Sequence, residues 1–321
     1  MYYPLKFNPI LKERLWGGTK LRDIFGKPIA SDSVGESWEI STVEGDISVV
    51  ANGDLAHTSL QQLIDENPEA LLGKSVVERF GTAFPILIKF IDAKQDLSIQ
   101  LHPNDELAKK RHNSFGKTEM WYIMDAETDA DLIVGFNKTV TKKAYQKSLE
   151  NNTLLELLHY EKVKEGDTFF INTGKIHAIG AGVVLAEIQQ TSDVTYRVFD
   201  FNRKDKAGQL RELHTDLALD AIDYEKKDDF KVVYTTDTNT VNSMVDSPYF
   251  KTNYLQLTEN MNFDLSQRDS FTIYMCVAGE ATIVNEHGKA HLNKGETILL
   301  SASSTKVSIH TQDATLLEVT I

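Results

Sequence analysis

The chain has 321 residues, 41% hydrophobic and 25% charged, an ordinary globular composition. Lys plus Arg total 34 against 47 Asp plus Glu, and the net charge of −13 argues against nucleic acid or an anionic membrane as the main partner. The single cysteine, Cys276, excludes an intramolecular disulfide and any cysteine-based zinc site.

The opening stretch, MYYPLKFNPILKERLWGG, carries early charges and no apolar core of signal-peptide length. No segment approaches the ~20 apolar residues of a membrane span, so a cytoplasmic protein is expected. Residues 1–56 are Gly-punctuated, with strand-like GESWEIS and DISVVA. A helix is expected over TSLQQLIDENPEALLG, capped by Thr58 or Ser59 and stopped by Gly73. FPILIKFIDA and LSIQLH read as consecutive buried strands, followed by KTEMWYIMDA and ADLIVGF. Residues 139–163 change character: Leu149, Leu154, Leu155, Leu157 and Leu158 predict a helical insertion. Strand patterning resumes at DTFFIN and VVLAEIQQTSDVTYRVFDF, and a further helix is expected at HTDLALDAIDYE. From about Lys231 onward the chain is short strands broken by Gly, Asn and Asp. The pattern is mainly β, a barrel or sandwich with helical additions, divided into residues 1–230 and 231–321.

KEGDTFFINTGKIHAIG and NKGETILLSASSTKVSI superpose without a gap, Gly166 on Gly295 and His177 on Lys306. Two related barrels are expected from this repeat, only the first carrying chemistry.

In DLSIQLHPND, Leu97, Ile99 and Leu101 alternate onto one face, leaving Ser98, Gln100 and His102 on the other. A solvent-facing strand accounts for this, and so does a metal site inside a barrel. Glu119 opens a strand too apolar to face water, and a buried carboxylate needs a partner or a metal. The spacing of Gly166, Asn172, Gly174 and His177 resembles the second cupin motif, with Asn172 where proline is usual. Gln100 stands where a typical cupin has its first His, and Glu119 lies 17 residues beyond His102 instead of a few.

Together these residues resemble the metal site of the type I phosphomannose isomerases, the zinc-dependent mannose-6-phosphate isomerases, in their shorter bacterial form. The blocks that carry the resemblance are RLWGG, GESWEIS, PILIKFIDAKQDLSIQLHPND, GKTEMWYIM, TGKIHAIG and QQTSDVTYRVFDFNR. It covers the chain to about Asp220 and implies a cupin-type jelly-roll barrel over 1–230; the repeat, with Lys306 in the place of His177, makes 231–321 a smaller cupin-like barrel expected to hold no metal. It implies one zinc per chain on Gln100, His102, Glu119 and His177. It also implies a catalytic set of Arg197, Lys117 and Asp193, with Ser98 and Lys89 binding a phosphorylated hexose. Asp193 is read as the partner of Arg197 on a shared strand face. Gly116 replaces the His of longer members, so that His cannot be the base here. Nucleic acid and membrane are not expected as partners, and the chain is read as a monomer or homodimer.

The implied chemistry suits the residues. Aldose–ketose interconversion through an enediolate builds negative charge on two adjacent oxygens, and a divalent ion with an open position stabilises it. Two His, one Glu and a neutral Gln leave a zinc site at about +1, whereas Glu in place of Gln100 would neutralise it. Two other readings are a non-catalytic metal-bound cupin that senses sugar phosphate and an iron-dependent cupin oxygenase. Arg197, Asp193 and Lys117 in one cavity favour the isomerase over the sensor, and Glu119 with Gln100 favours it over the oxygenase. His57, His112, His159, His214, His287, His291 and His310 are read as structural or exposed.

Overall fold

A computed structural model describes residues 2–205 and 207–321. The first two-thirds build two facing antiparallel sheets and a separate hairpin, β3–β4 (Thr42–Val43, Asp46–Ile47); the sheets are made of β1 (Ile10–Gly18), β2 (Val34–Ile40), β5 (Ile86–Ala93), β6 (Ile99–Leu101), β7 (Glu119–Ala126), β8 (Asp131–Phe136), β9 (Leu158–Lys162), β10 (Thr168–Ile171), β11 (His177–Ile179), β12 (Val183–Gln190) and β13 (Tyr196–Phe199). One sheet runs β1-β2-β5-β12-β7-β10 and the other β13-β6-β11-β8-β9. The mainly β expectation holds.

Strand alternation explains how the layers stack. On the first sheet Ile88, Phe90, Met120, Tyr122, Ala186 and Ile188 face outward into a large core. Their neighbours Ile91, Trp121, Ile123 and Leu185 face inward, where they meet Leu132, Val134 and Ile179 of the second sheet. Ile99, Leu101, Ala178, Tyr196 and Val198 cover the far side of the second sheet, packed with Tyr145, Leu154 and Ala218. Polar residues at the inward positions therefore point into a space between the sheets.

The expected helical insertion is shorter than its leucine spacing predicts. A helix spans Lys142–Glu150 and a 3-10 turn Leu154–Leu157, but Leu158–Lys162 is β9, paired with β8. Leu158 still enters the core, so its apolar character fits either state. The single helix expected over residues 58–73 is two short ones, Leu60–Glu66 and Pro68–Leu72, the second ending at Gly73 as expected, and a third, Lys74–Phe80, follows it. Ser59 caps the first, its Oγ accepting from Gln62 N–H at 3.1 Å, and Pro68 restarts the chain after Asn67. The helix expected at residues 214–225 is one turn, Thr215–Ala218.

The carboxy-terminal strands β14 (Asn242–Asp246), β15 (Lys251–Leu257), β16 (Met261–Asp264), β17 (Thr272–Asn285), β18 (Gly288–Asn293), β19 (Thr297–Leu300) and β20 (Lys306–Thr320) form one seven-stranded sheet. Its inner face packs Leu255, Tyr274, Cys276, Ile283, Leu300 and Leu316 into a core of its own. Its other face, through Phe271, Ile273, Met275 and Leu317, joins the core behind the first sheet. Each such fully buried side chain contributes about 1.5–3 kcal/mol, enough collectively to weld the two parts together. Among the described residues no helix is long and apolar enough to cross a membrane.

Candidate metal centre

Three strands and one turn bring the centre together. Gln100 and His102 project from β6 and its end, where Pro103 follows. His177 opens β11 and pairs directly with Gln100, and Arg197 of β13 pairs with Gln100 from the other side. Glu119 opens β7 on the opposing sheet, sharing the inward face with Trp121 and Ile123. Gly174 positions His177. Its φ is +82°, and an added Cβ would lie 2.6 Å from the Ala221 carbonyl oxygen, so only glycine fits. Its N–H also donates to the His102 carbonyl at 2.8 Å, tying the two histidine segments together.

His102, Glu119 and His177 are each buried, and one ligand atom from each lies within 4.8 Å of the others. Nδ1 of His102 lies 2.9 Å from the Val194 carbonyl and Nδ1 of His177 2.8 Å from the Lys175 carbonyl. A carbonyl only accepts, so both Nδ1 atoms carry hydrogen and both Nε2 lone pairs are left facing inward. They converge on Glu119 Oε1, at 3.4 Å from His102 and 3.1 Å from His177. Acceptor thus meets acceptor. Among the described residues neither Glu119 Oε1 nor His177 Nε2 has a hydrogen-bond donor, although both are buried, and Glu119 Oε2 has the Lys117 ammonium beside it. Such a set fits a divalent cation, which turns mutual repulsion into shared coordination. Gln100, partly buried, lines the adjoining cavity, its Oε1 3.5 Å from Ser98 Oγ.

The fixed charges agree. Burial pulls His102 down to about 3, helped by the Lys117 ammonium, so its imidazole is neutral and free to ligate. Burial alone would raise Glu119, but Lys117 and the two histidines outweigh it and hold the carboxyl well below its usual range. Lys117 lies 3.0 Å from Glu119 Oε2 and 3.3 Å from His102 Nε2.

These groups open onto a cavity of about 410 Å³ whose lining includes Lys89, Ser98, Gln100, Lys117, His177, Asp193 and Arg197. Arg197 is half-buried, its Nε donating to Ser98 Oγ at 3.2 Å and its Nη1 to the Glu212 carbonyl at 2.9 Å. The expected Asp193–Arg197 pair is absent from the ion pairs of the described residues. β13 begins only at Tyr196, so Asp193 and Thr195 precede the strand and its alternation does not apply to them. Asp193 is exposed at the rim. Lys89 reaches the cavity with its ammonium 3.0 Å from Glu187.

Glu187, Glu36 and Arg14 were missed by sequence reasoning. Glu187 is 3% exposed at the centre of β12, where it accepts from the Trp121 indole N–H at 2.9 Å. Burial raises its pKa, against the pull of Lys89. Glu36 takes Arg14 in a two-pronged pair at 3.0 and 3.1 Å. A lone carboxylate within the fully buried VVLAEIQQ was the available signal for Glu187.

A family model described as phosphomannose isomerase type I, catalytic domain, matches residues 5–152, and a mannose-6-phosphate isomerase cupin domain matches residues 240–319. A probable mannose-6-phosphate isomerase of Bacillus subtilis, GmuF, is 37% identical over 309 residues, covering 94% of each chain. Mannose-6-phosphate isomerase ManA of the same organism is 38% identical over 300 residues, covering 92% of each. The crystal structure of a Bacillus subtilis mannose 6-phosphate isomerase superposes with a TM-score of 0.91 at 32% identity, covering 100% of both chains. A phosphomannose isomerase mutant from Salmonella typhimurium, at 18% identity and a TM-score of 0.77 over 98% of each chain, shares the fold.

Proposed function

The chain belongs to the type I mannose-6-phosphate isomerases, and from that premise we propose that its buried centre interconverts mannose 6-phosphate and fructose 6-phosphate with one zinc ion per chain. The observation that carries the metal role is the convergence of His102 Nε2, His177 Nε2 and the buried Glu119 carboxylate. Gln100 completes the ligand set. A divalent ion held there supplies Lewis acidity for the charge that develops on the two sugar oxygens during proton transfer.

The protein's own groups do the rest. Lys117 balances Glu119 and keeps an ammonium at the inner end of the cavity. Arg197, with no carboxylate of its own, presents a fixed planar donor to the sugar oxygens. Ser98 and Lys89 contact the phosphorylated substrate, and Asp193 orders the rim. Glu187 is the proton carrier. Glu119 belongs to the metal set, Glu36 is committed to Arg14 with a pKa of about 2, and Asp193 is exposed at the rim, which leaves Glu187 as the buried carboxyl lining the cavity. Glu187 is buried and raised, as a group that takes and returns a proton requires.

Residues 1–230 form the catalytic unit, and residues 231–321 a smaller metal-free cupin-like unit whose role is packing. The Lys306 that aligns with His177 is exposed, and the inner core of these strands is apolar. We place the enzyme in the cytoplasm, as a monomer or homodimer. Steady-state conversion of mannose 6-phosphate in both directions tests the reading. A non-catalytic sugar-phosphate binder would saturate with substrate and release no ketose.

A further inference from the structure

Cations inside the cavity are unevenly matched. Arg14 has Glu36, Lys89 has Glu187 and Lys117 has Glu119, each at about 3 Å. The wall built by β13 and the segment that follows it differs. There Arg203 and Arg211 share a single carboxylate, Asp200, which is 5% exposed. Arg203 Nε donates to Asp200 Oδ1 at 3.1 Å, and Arg211 Nε donates to Oδ2 at 2.6 Å while its Nη2 also reaches Oδ1. Arg197 beside them has, among the described residues, only neutral acceptors, and the Glu212 side chain whose backbone serves it is 83% exposed. Three guanidiniums against one carboxylate leave an excess of two positive charges on this wall.

The two shared arginines are not equivalent. Arg203 is used up, its Nη1 donating to the Asp96 carbonyl. Arg211 lines the cavity, and among the described residues no hydrogen bond engages its Nη1. Both oxygens of Asp200 hold its guanidinium, so the donor plane is fixed before any ligand arrives. Ser98, just before β6 on the same wall, accepts from Arg197 Nε at 3.2 Å, and its Oγ lies 3.5 Å from Gln100 Oε1.

We propose that Arg211 is the specificity residue that clamps the phosphoryl dianion, and that Asp200 is its positioning residue. The identity of the ligand rests on the isomerase reading, whereas the site itself requires only a phosphomonoester. A planar guanidinium matches two phosphoryl oxygens at once, and an unphosphorylated hexose leaves that charge without a partner.

Calorimetric titration of the metal-loaded protein with inorganic phosphate and with mannose 6-phosphate, at fixed ionic strength, tests the assignment. Arg211→Ala weakens both by about 10- to 100-fold, the range of a charged hydrogen-bonded contact. Arg211→Lys restores part of the loss. Asp200→Asn weakens both less, with metal content unchanged, and in steady-state assays its defect falls mainly on KM. Arg211→Gln, which keeps the side chain's bulk, guards against a misfolded loop and shows the same loss. Unchanged phosphate and sugar-phosphate affinity in folded Arg211→Ala and Arg211→Gln overturns the proposal. Arg211-dependent phosphate binding without isomerisation by the wild type would instead overturn the isomerase reading and leave Arg211 in place.

Discussion

His177 Nε2 lies 3.1 Å from Glu119 Oε1, and among the described residues neither atom has a hydrogen-bond donor. His177 opens a strand of one sheet and Glu119 a strand of the facing sheet, so their approach fixes the spacing between the layers. Two acceptors this close are stable only when something positive sits between or beside them.

Removing the metal should therefore cost stability as well as activity. Chelation is expected to lower Tm measurably, with recovery on adding zinc. His102→Ala should lose both metal and activity, and elemental analysis checks it. Full metal occupancy in that variant would break the ligand assignment.

Arg197→Ala should keep fold and metal while losing turnover by ~10²-fold or more, typical for one preorganised oxyanion donor. Arg197→Lys should restore only part, because the two-pronged geometry is gone. A rise in KM with kcat unchanged would move Arg197 into substrate binding alone.

The carboxyl of Glu187 tests proton transfer. Glu187→Gln keeps the indole hydrogen bond in shape but removes the titrating group, and turnover should fall ~10²- to 10⁴-fold with metal retained. Turnover within threefold of wild type, on the order of ordinary variation and far below a lost acid–base group, would exclude it.

Glu36 gives a pH prediction. Burial would raise it, but Lys89 and Arg14 outweigh burial and bring it from 4.5 to about 2. A carboxyl depressed in the folded state stabilises above its unfolded value and loses that stabilisation as pH falls through its folded value. Glu36→Gln should cost up to about 3 kcal/mol at pH 7, most of the pH dependence falling between about 4.5 and 2. Denaturant unfolding of both proteins across that range should show the gap closing toward acid. A gap constant with pH would assign the loss to packing.

Local pattern carried most of the metal centre. Gln100-x-His102 before Pro103, and Gly174 three residues before His177, are short-range signals that one strand face and one strained turn impose. Glu119 was legible because a charge opening an apolar strand needs a partner. Arg211 and Arg14 were not, because their places depend on long-range approach: Arg14 lies two strands away from Lys89, through β2 between β1 and β5. The Asp193 error has a similar origin, since alternation was extended past the true start of β13. Leu158 misled because a leucine in a short mixed run buries equally well from a helix or an edge strand.

NMR of mannose 6-phosphate with purified protein, with chelated protein and with chelated protein reloaded with zinc tests the central claim most directly. Fructose 6-phosphate signals should appear with the first, be absent with the second and return with the third. Fully metal-loaded, folded protein that binds mannose 6-phosphate and never produces the ketose would contradict the account.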